Sequence, residues 1–460
     1  MSVRYADSLT IFERRRARRL AHWNAAVWAV GNGLVGGMLV TYMLQEMAST
    51  ATGLERSQIG LLIGLVFAAP HLAGLLRIAV PHLLPLWGTR RRFCATFYLA
   101  SAMILTALPA APLMRGRLSD RAVLWSVPLI WCLYHLTEYL ATVSLWSWLR
   151  DLVPTRIRGR FIGRRQRWML VGQSVAMLTA GLHTWGWLGL HPQGERWIPY
   201  SICAATGTLF LAASIVPLLR MPDLPFRTSK ERTSLRTKWN ATIRPLRDKR
   251  FVGLLLFGCW FSFANGSTQS VQGRYPYILG IGLFTMLAFK TSMRFGQIAI
   301  SPRVGRFADR CGNRRLIAWS IPLIATGPLF YLAAGACEKD LTIRLAAAGA
   351  WIVWIAWVGF NIGLQNLLLK LSPKQSEGAA YIATFYAVTG MFYALAALGG
   401  GALSDRFAQA RWTTPPLGNL PTFTFDSFQF GLFAGWALRL FSLVMLFLFV
   451  REASEARRSN

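Results

Sequence analysis

The chain is short of charge, and shorter still of acid. Only 15% of its 460 residues are charged, where a soluble domain carries about 25%. Lysine and arginine number 50 and aspartate and glutamate 19, a formal net charge of +31. A globular domain wrapped in a mixed-charge surface is therefore not expected. Cysteine is sparse as well. Cys94, Cys132, Cys203, Cys259, Cys311 and Cys337 stand alone, with no paired spacing of the kind that frames a disulfide scaffold or a metal site. No nucleotide-cradling glycine loop, metal cluster or catalytic triad spacing is visible, so neither an enzyme nor a cofactor is expected. The basic start, Arg14 to Arg19, runs into an apolar stretch from His22. That stretch is too long for a cleaved signal peptide and lacks a small-residue cleavage site. It reads as a retained first span.

Hydrophobic residues make up 54% of the chain. They fall in blocks long enough to cross a bilayer, which takes about 20 apolar residues each. Twelve spans are expected, near 22–47, 57–79, 93–112, 122–147, 168–187, 198–219, 251–273, 276–301, 316–336, 344–369, 378–400 and 430–450. The fold class is an all-α membrane protein. Residues 1–21 are a basic lead, and 220–250 is a polar, basic linker with Pro222, Pro225 and Pro245. The linker separates a half at 22–219 from a half at 251–450, and 451–460 is a short tail. The basic residues sit in short loops on alternate sides of the spans. Of the 50, 36 lie on the side shared by both termini, ten on the other, and four inside spans. The positive-inside bias then places both termini in the cytoplasm. The same distribution argues against a nucleic-acid partner, which the net charge alone would allow.

Two landmarks recur. Gly88-x-Arg90-Arg91 and Gly312-x-Arg314-Arg315 stand 224 residues apart. Pro154 and Gly159 are five apart, and so are Pro373 and Gly378, 219 residues later. Two landmarks with nearly one offset point to a duplicated chain, a mark of secondary transporters. The run Gly305-x-x-x-Asp309-Arg310-x-Gly312-x-Arg314-Arg315 resembles the signature loop of the major facilitator superfamily, between the second and third spans of a half. The loop Asp151 to Gly159 resembles that family's basic loop after span 4. The resemblance covers about residues 20–450. It implies twelve transmembrane helices in two pseudo-symmetric six-helix bundles, a central cavity and alternating access. It also implies a cytoplasmic latch in which Asp309 meets Arg158, Arg160 and Arg164. In the first half Pro85 stands where the family has aspartate, so that copy of the latch lacks its acid. The glycine-rich arginine motif of proton antiporters is absent from span 4, which reads Tyr134-His135-Leu136-Thr137-Glu138.

Ionisable residues inside spans are costly and usually face a cavity. Glu138 lies near the middle of span 4 with His135 one turn before it, on the same helix face. Lys290 and Arg294 share a face of span 8. One reading gives Glu138 and His135 the coupling proton and gives Lys290 and Arg294 an anionic or polar substrate. The competing reading is a structural ion pair between the halves. Asn32, Gln173, Asn265, Gln269, Asn361 and Gln365 are further substrate-binding candidates, although amides in spans also serve as interhelical glue. Trp351, Trp354 and Trp357 recur at helical spacing and suit core packing better than sugar stacking. Arg439, in span 12, has no evident partner. The expected function is proton-coupled uptake of a small polar solute, a sugar or an organic anion, across the cytoplasmic membrane by a monomer. Export of amphipathic compounds and a transporter-like sensor are the alternatives.

Overall fold

The computed structural model describes residues 9–51, 58–78, 80–153, 158–223, 244–371, 378–413 and 424–451. Twelve long helical segments follow one another: α1 Ile11–Ser49, α2 Ile59–Leu76, α3 Arg90–Met114, α4 Asp120–Leu152, α5 Arg158–Leu190, α6 Ile198–Leu219, α7 Lys249–Ile278, α8 Leu283–Cys311, α9 Asn313–Gly335, α10 Asp340–Leu368, α11 Gly378–Arg406 and α12 Ser427–Phe449. Among the described residues nine of them are both long and apolar enough to cross a membrane on length and composition. The other three, α4, α5 and α8, are 33, 33 and 29 residues long. Each exceeds the roughly 20 residues of a span and carries more polar groups. A two-residue antiparallel pair, β1 Trp412–Thr413 with β2 Thr424–Phe425, lies between α11 and α12.

Local chemistry sets the helix ends. Thr10 and Glu13 form a capping box at the start of α1, Ser119 caps α4, and Asp248 accepts from the Arg250 and Phe251 amides at the start of α7. Such caps satisfy amides that have no partner within the helix. The signature run is not a loop. Residues 305–311 continue α8, and Gly312 alone turns the chain into α9, at φ +89°. Only glycine adopts that backbone conformation cheaply. Gly88, its counterpart before α3, sits at φ +70°. The recurrence seen in sequence is thus a recurrence of backbone geometry. Span 8 was expected to end near 301, but charge alone does not stop a helix whose backbone bonds continue.

Prolines inside helices leave carbonyls to be satisfied elsewhere. Pro328 cannot donate to the Ile324 carbonyl, and the Trp354 indole Nε1 donates to it instead, at 3.2 Å. Trp354 opens the 3-10 turn Trp354–Ala356 that interrupts α10. Its own carbonyl accepts from Gln297 Nε2 at 3.2 Å. Trp351 packs edge-on to Trp354, and Trp357 packs on Phe261 and Phe360. These tryptophans are built into the helix packing.

Packing groups the chain into two units. The first holds Met1–Leu54, Leu72–Arg232 and Leu283–Ala288. In it α1 packs on α5 and α6, and α3 packs on α4. A buried cluster around Trp148, Leu145, Tyr98 and Phe161 forms part of its core. The second holds Glu55–His71, Thr233–Gly282 and Phe289–Asn460. There α7 packs on α11 and α12, and α9 packs on α10 and α12, around an aromatic core that includes Phe251, Phe257, Phe261, Phe360 and Phe385. Small residues permit the α7–α11 approach. A Cβ on Gly266 would meet the Tyr393 carbonyl, and one on Gly400 the Ser267 carbonyl. This is the small-residue packing of membrane helices. The start of α2 belongs to the second unit, where Gly60 and Gly64 lie against α11 at Gly401 and Ala397.

Candidate functional site

The first unit holds a buried acid in a chain of hydroxyls. Glu138 is 6% exposed. Its Oε1 accepts from Thr142 Oγ1 at 2.7 Å, one turn further along α4. Thr142 Oγ1 lies 2.9 Å from the Tyr98 hydroxyl of α3. With Thr142 donating to the carboxylate, Tyr98 donates to Thr142. His135 is also buried, edge-on to Trp131 at 4.6 Å between ring centroids and beside Tyr134. A hydroxyl donates or accepts by rotation, so this chain can hold Glu138 with or without its proton. Asn32 and Gln173 meet directly, Gln173 Nε2 donating to Asn32 Oδ1 at 2.8 Å between α1 and α5. Glu46, buried at the end of α1, pairs with Arg196 at 3.2 Å.

The second unit holds a buried cation. Arg439 on α12 is 2% exposed. Its Nη2 donates to Thr268 Oγ1 at 3.0 Å and to Gln272 Oε1 at 3.4 Å, both on α7. The Gln272 amide can also be turned so that its oxygen accepts from both Arg439 Nη1 and Nη2, at 3.1 and 3.2 Å. In the same unit Tyr393 of α11 stacks on His71 at 3.8 Å between centroids. Lys290 and Arg294 are half-buried on α8. Asn265 is buried, and its amide donates to the Phe261 carbonyl of its own helix at 2.7 Å. That bond engages the amide nitrogen. Gln269 is half-buried, and Asn361 and Gln365 are exposed. The second unit thus holds Lys290, Arg294, Asn265, Gln269, Asn361 and Gln365, and the first holds Glu138, His135, Asn32 and Gln173.

Of the expected latch residues, Gly305 is helical, Gly312 makes the turn, and Arg310, Arg315 and Arg164 are exposed. Arg314 Nη2 donates to the Phe447 carbonyl at 3.0 Å, and its guanidinium lies 5.0 Å from the centre of the Phe447 ring. The side chains of Asp309, Asp151, Arg158 and Arg160 lie outside the described residues.

A third buried acid, missed in the sequence, is fully engaged near the end of α11. Asp405 is 6% exposed. Its Oδ1 accepts from the Gly60 amide at 2.9 Å and its Oδ2 from the Leu61 amide at 2.8 Å. These are first-turn amides of α2, where the helix dipole favours an anion. Arg274 at the end of α7 pairs with Asp405 at 3.3 Å and lies over the Phe428 ring. A signal was present: Gly401-x-x-x-Asp405-Arg406 repeats the spacing of Gly305-x-x-x-Asp309-Arg310.

Comparison with known proteins accounts for this architecture. No curated protein matches the chain in sequence. Among solved structures it is similar to a mutant of the nucleoside transporter NupG, with 14% identity, a TM-score of 0.67, and coverage of 94% of this chain and 98% of that one. It is similar to a D-xylose-proton symporter, with 13% identity, a TM-score of 0.67, and coverage of 95% and 98%. The inward-open xylose transporter XylE from E. coli aligns with 12% identity, a TM-score of 0.63, and coverage of 95% and 96%. At these identities the likeness shows the fold. The family profile described as Major Facilitator Superfamily matches residues 25–400. A chain of apolar helices, turned at Gly88 and Gly312 and matched over most of its length, belongs to the Major Facilitator Superfamily of multi-pass membrane transporters.

Proposed function

We propose that this transporter is proton-coupled and takes up a small polar solute, a sugar or an organic anion, by alternating access of two six-span halves, 22–219 and 251–450. The observation that carries the reading is Glu138, a buried carboxyl held by Thr142 and, through it, by Tyr98. A buried acid bonded to hydroxyls exchanges a proton while its bonds re-form around either state. His135 is the second titratable group of the site. Lys290 and Arg294, four residues apart on α8, supply the positive side of a substrate site, with Asn32, Gln173, Asn265, Gln269, Asn361 and Gln365 as its amides. Two structurally similar proteins are described as a nucleoside transporter and a D-xylose-proton symporter, which supports a polar cargo. Both termini lie in the cytoplasm, in keeping with the distribution of basic residues.

The test is transport in proteoliposomes, with sugars and organic anions first ranked by thermal shift of the purified protein. Glu138→Gln is expected to abolish proton-driven uptake and to keep counterflow exchange. Equal proton-driven uptake by wild type and variant would remove Glu138 from coupling. The latch is tested separately. Asp309, paired with Arg158, Arg160 and Arg164, and with Asp151 just before these arginines in sequence, holds the cytoplasmic side shut in this reading. Asp309→Asn then lowers transport several-fold, about 1 kcal/mol by loss of its pairing with the arginines, while the amount inserted in the membrane is unchanged. Wild-type flux in that variant would discard the latch.

A further inference from the structure

One cavity of the second unit is lined by neither Glu138 nor Arg439. It occupies about 1140 Å³ where the start of α7, the start of α9, the end of α10 and the end of α12 come together in the second unit. Its cations are Arg247, Lys249, Arg250, Arg314, Lys370 and Arg451, and no acidic side chain is among the described residues that line it. Among the described residues the acid next to the lining in sequence, Asp248, caps α7 through the Arg250 and Phe251 amides. Four of these cations, Arg247, Lys249, Arg250 and Arg451, share one hollow with no acidic side chain among its described lining, and such a cluster attracts an anion.

The rim identifies the kind of anion. Leu256, Phe447 and Leu448 line the same cavity and are 45%, 55% and 64% exposed on membrane helices. A soluble phosphate would use the cations and gain nothing from these side chains. A lipid uses both, its phosphate among the cations and its acyl chains along the apolar rim. Arg314 is held in place on Phe447 by its bond to the backbone carbonyl and by the ring beneath it. It therefore stands at the boundary between the two regions. Basic pockets between membrane helices on the cytoplasmic side are where anionic headgroups bind. We infer that this cavity is a binding site for the headgroup of an anionic phospholipid of the cytoplasmic leaflet. It is separate from the transport site and does not depend on proton coupling.

The experiment uses the full chain purified in neutral detergent. Phosphatidylglycerol, phosphatidylcholine and inorganic phosphate are added at matched concentrations, and retained lipid and thermal midpoint are read. The wild type is expected to retain phosphatidylglycerol and to gain several degrees, with no gain from phosphatidylcholine or inorganic phosphate. A triple variant, Arg247→Gln with Lys249→Gln and Arg250→Gln, is expected to retain at least tenfold less. A control with Arg303→Gln and Arg306→Gln, exposed cations outside the cavity, is expected to behave as wild type. An equal gain from inorganic phosphate would make this a free-anion site and overturn the lipid assignment. Equal loss in the triple variant and the control would show diffuse surface attraction and overturn it as well. If the triple variant fails to fold, Arg451→Gln, another cation of the lining, is compared with the control in its place.

Discussion

Glu138 and Arg439 are both buried ionisable groups on membrane helices, and both are bonded to neutral partners. Their chemistry nonetheless sets them apart. Glu138 is held by Thr142, with Tyr98 behind it, and these hydroxyls can reverse their roles when the carboxyl gains a proton. Arg439 is held by Thr268 and Gln272, and a guanidinium is a donor in every state and keeps its charge. The first arrangement suits a group that changes charge during a cycle, and the second a charge that stays fixed. Their neighbours differ in the same sense: a chain that reaches a second hydroxyl against a pair of acceptors on one face of α7.

The comparison is tested most severely at Arg439. Arg439→Gln removes two hydrogen bonds from a charged group, each about 1.5–3 kcal/mol, and uptake in proteoliposomes is expected to fall about a hundredfold. Arg439→Lys sharpens the point, because it keeps the charge and loses the fork; recovery in that variant would show that charge alone matters. Thr142→Val comes next. It keeps the shape and removes the hydroxyl between Tyr98 and Glu138, at a cost of about 1.4 kcal/mol, or tenfold in proton-driven uptake. Unchanged uptake would mean that Glu138 works without its chain, and the contrast with Arg439 would dissolve. Asp405 gives the smallest effect. Asp405→Asn keeps an oxygen at the α2 amides and loses the charge that faces the helix dipole and Arg274. It is expected to lower stability by about 1 kcal/mol, read as a drop in the thermal midpoint of the purified protein. An unchanged midpoint would show that the charge of Asp405 adds nothing beyond its hydrogen bonds.

Much of the fold was legible because its signals are local. A span is one uninterrupted apolar stretch, and the turn residues Gly88 and Gly312 announce themselves by spacing. Glu138 and His135 stood out because an ionisable pair inside a span is conspicuous on any hydropathy reading. What sequence could not supply was the partner of each polar group. Arg439 is 171 residues from Thr268, and Asp405 is 345 residues from Gly60. Nothing local distinguishes Thr268 from the other hydroxyls of α7. Asn265 carries a bond the sequence did not announce: its amide nitrogen donates to the Phe261 carbonyl of its own helix. Trp354 looked like packing, and its indole also serves the carbonyl that Pro328 leaves open.

The sequence by itself determined the class, the spans and the repeat. Twenty apolar residues must cross a bilayer as a helix, because no other local structure satisfies the backbone there. Tertiary structure alone decided which helices meet and which polar groups close on each other. Helix packing depends on where small residues let two backbones approach, as Gly266 and Gly400 do between α7 and α11. It also decided that six cations from the ends of four helices surround one hollow. In the sequence they are separate loop charges that set topology; gathered at one end of the second unit, they become a place for an anion.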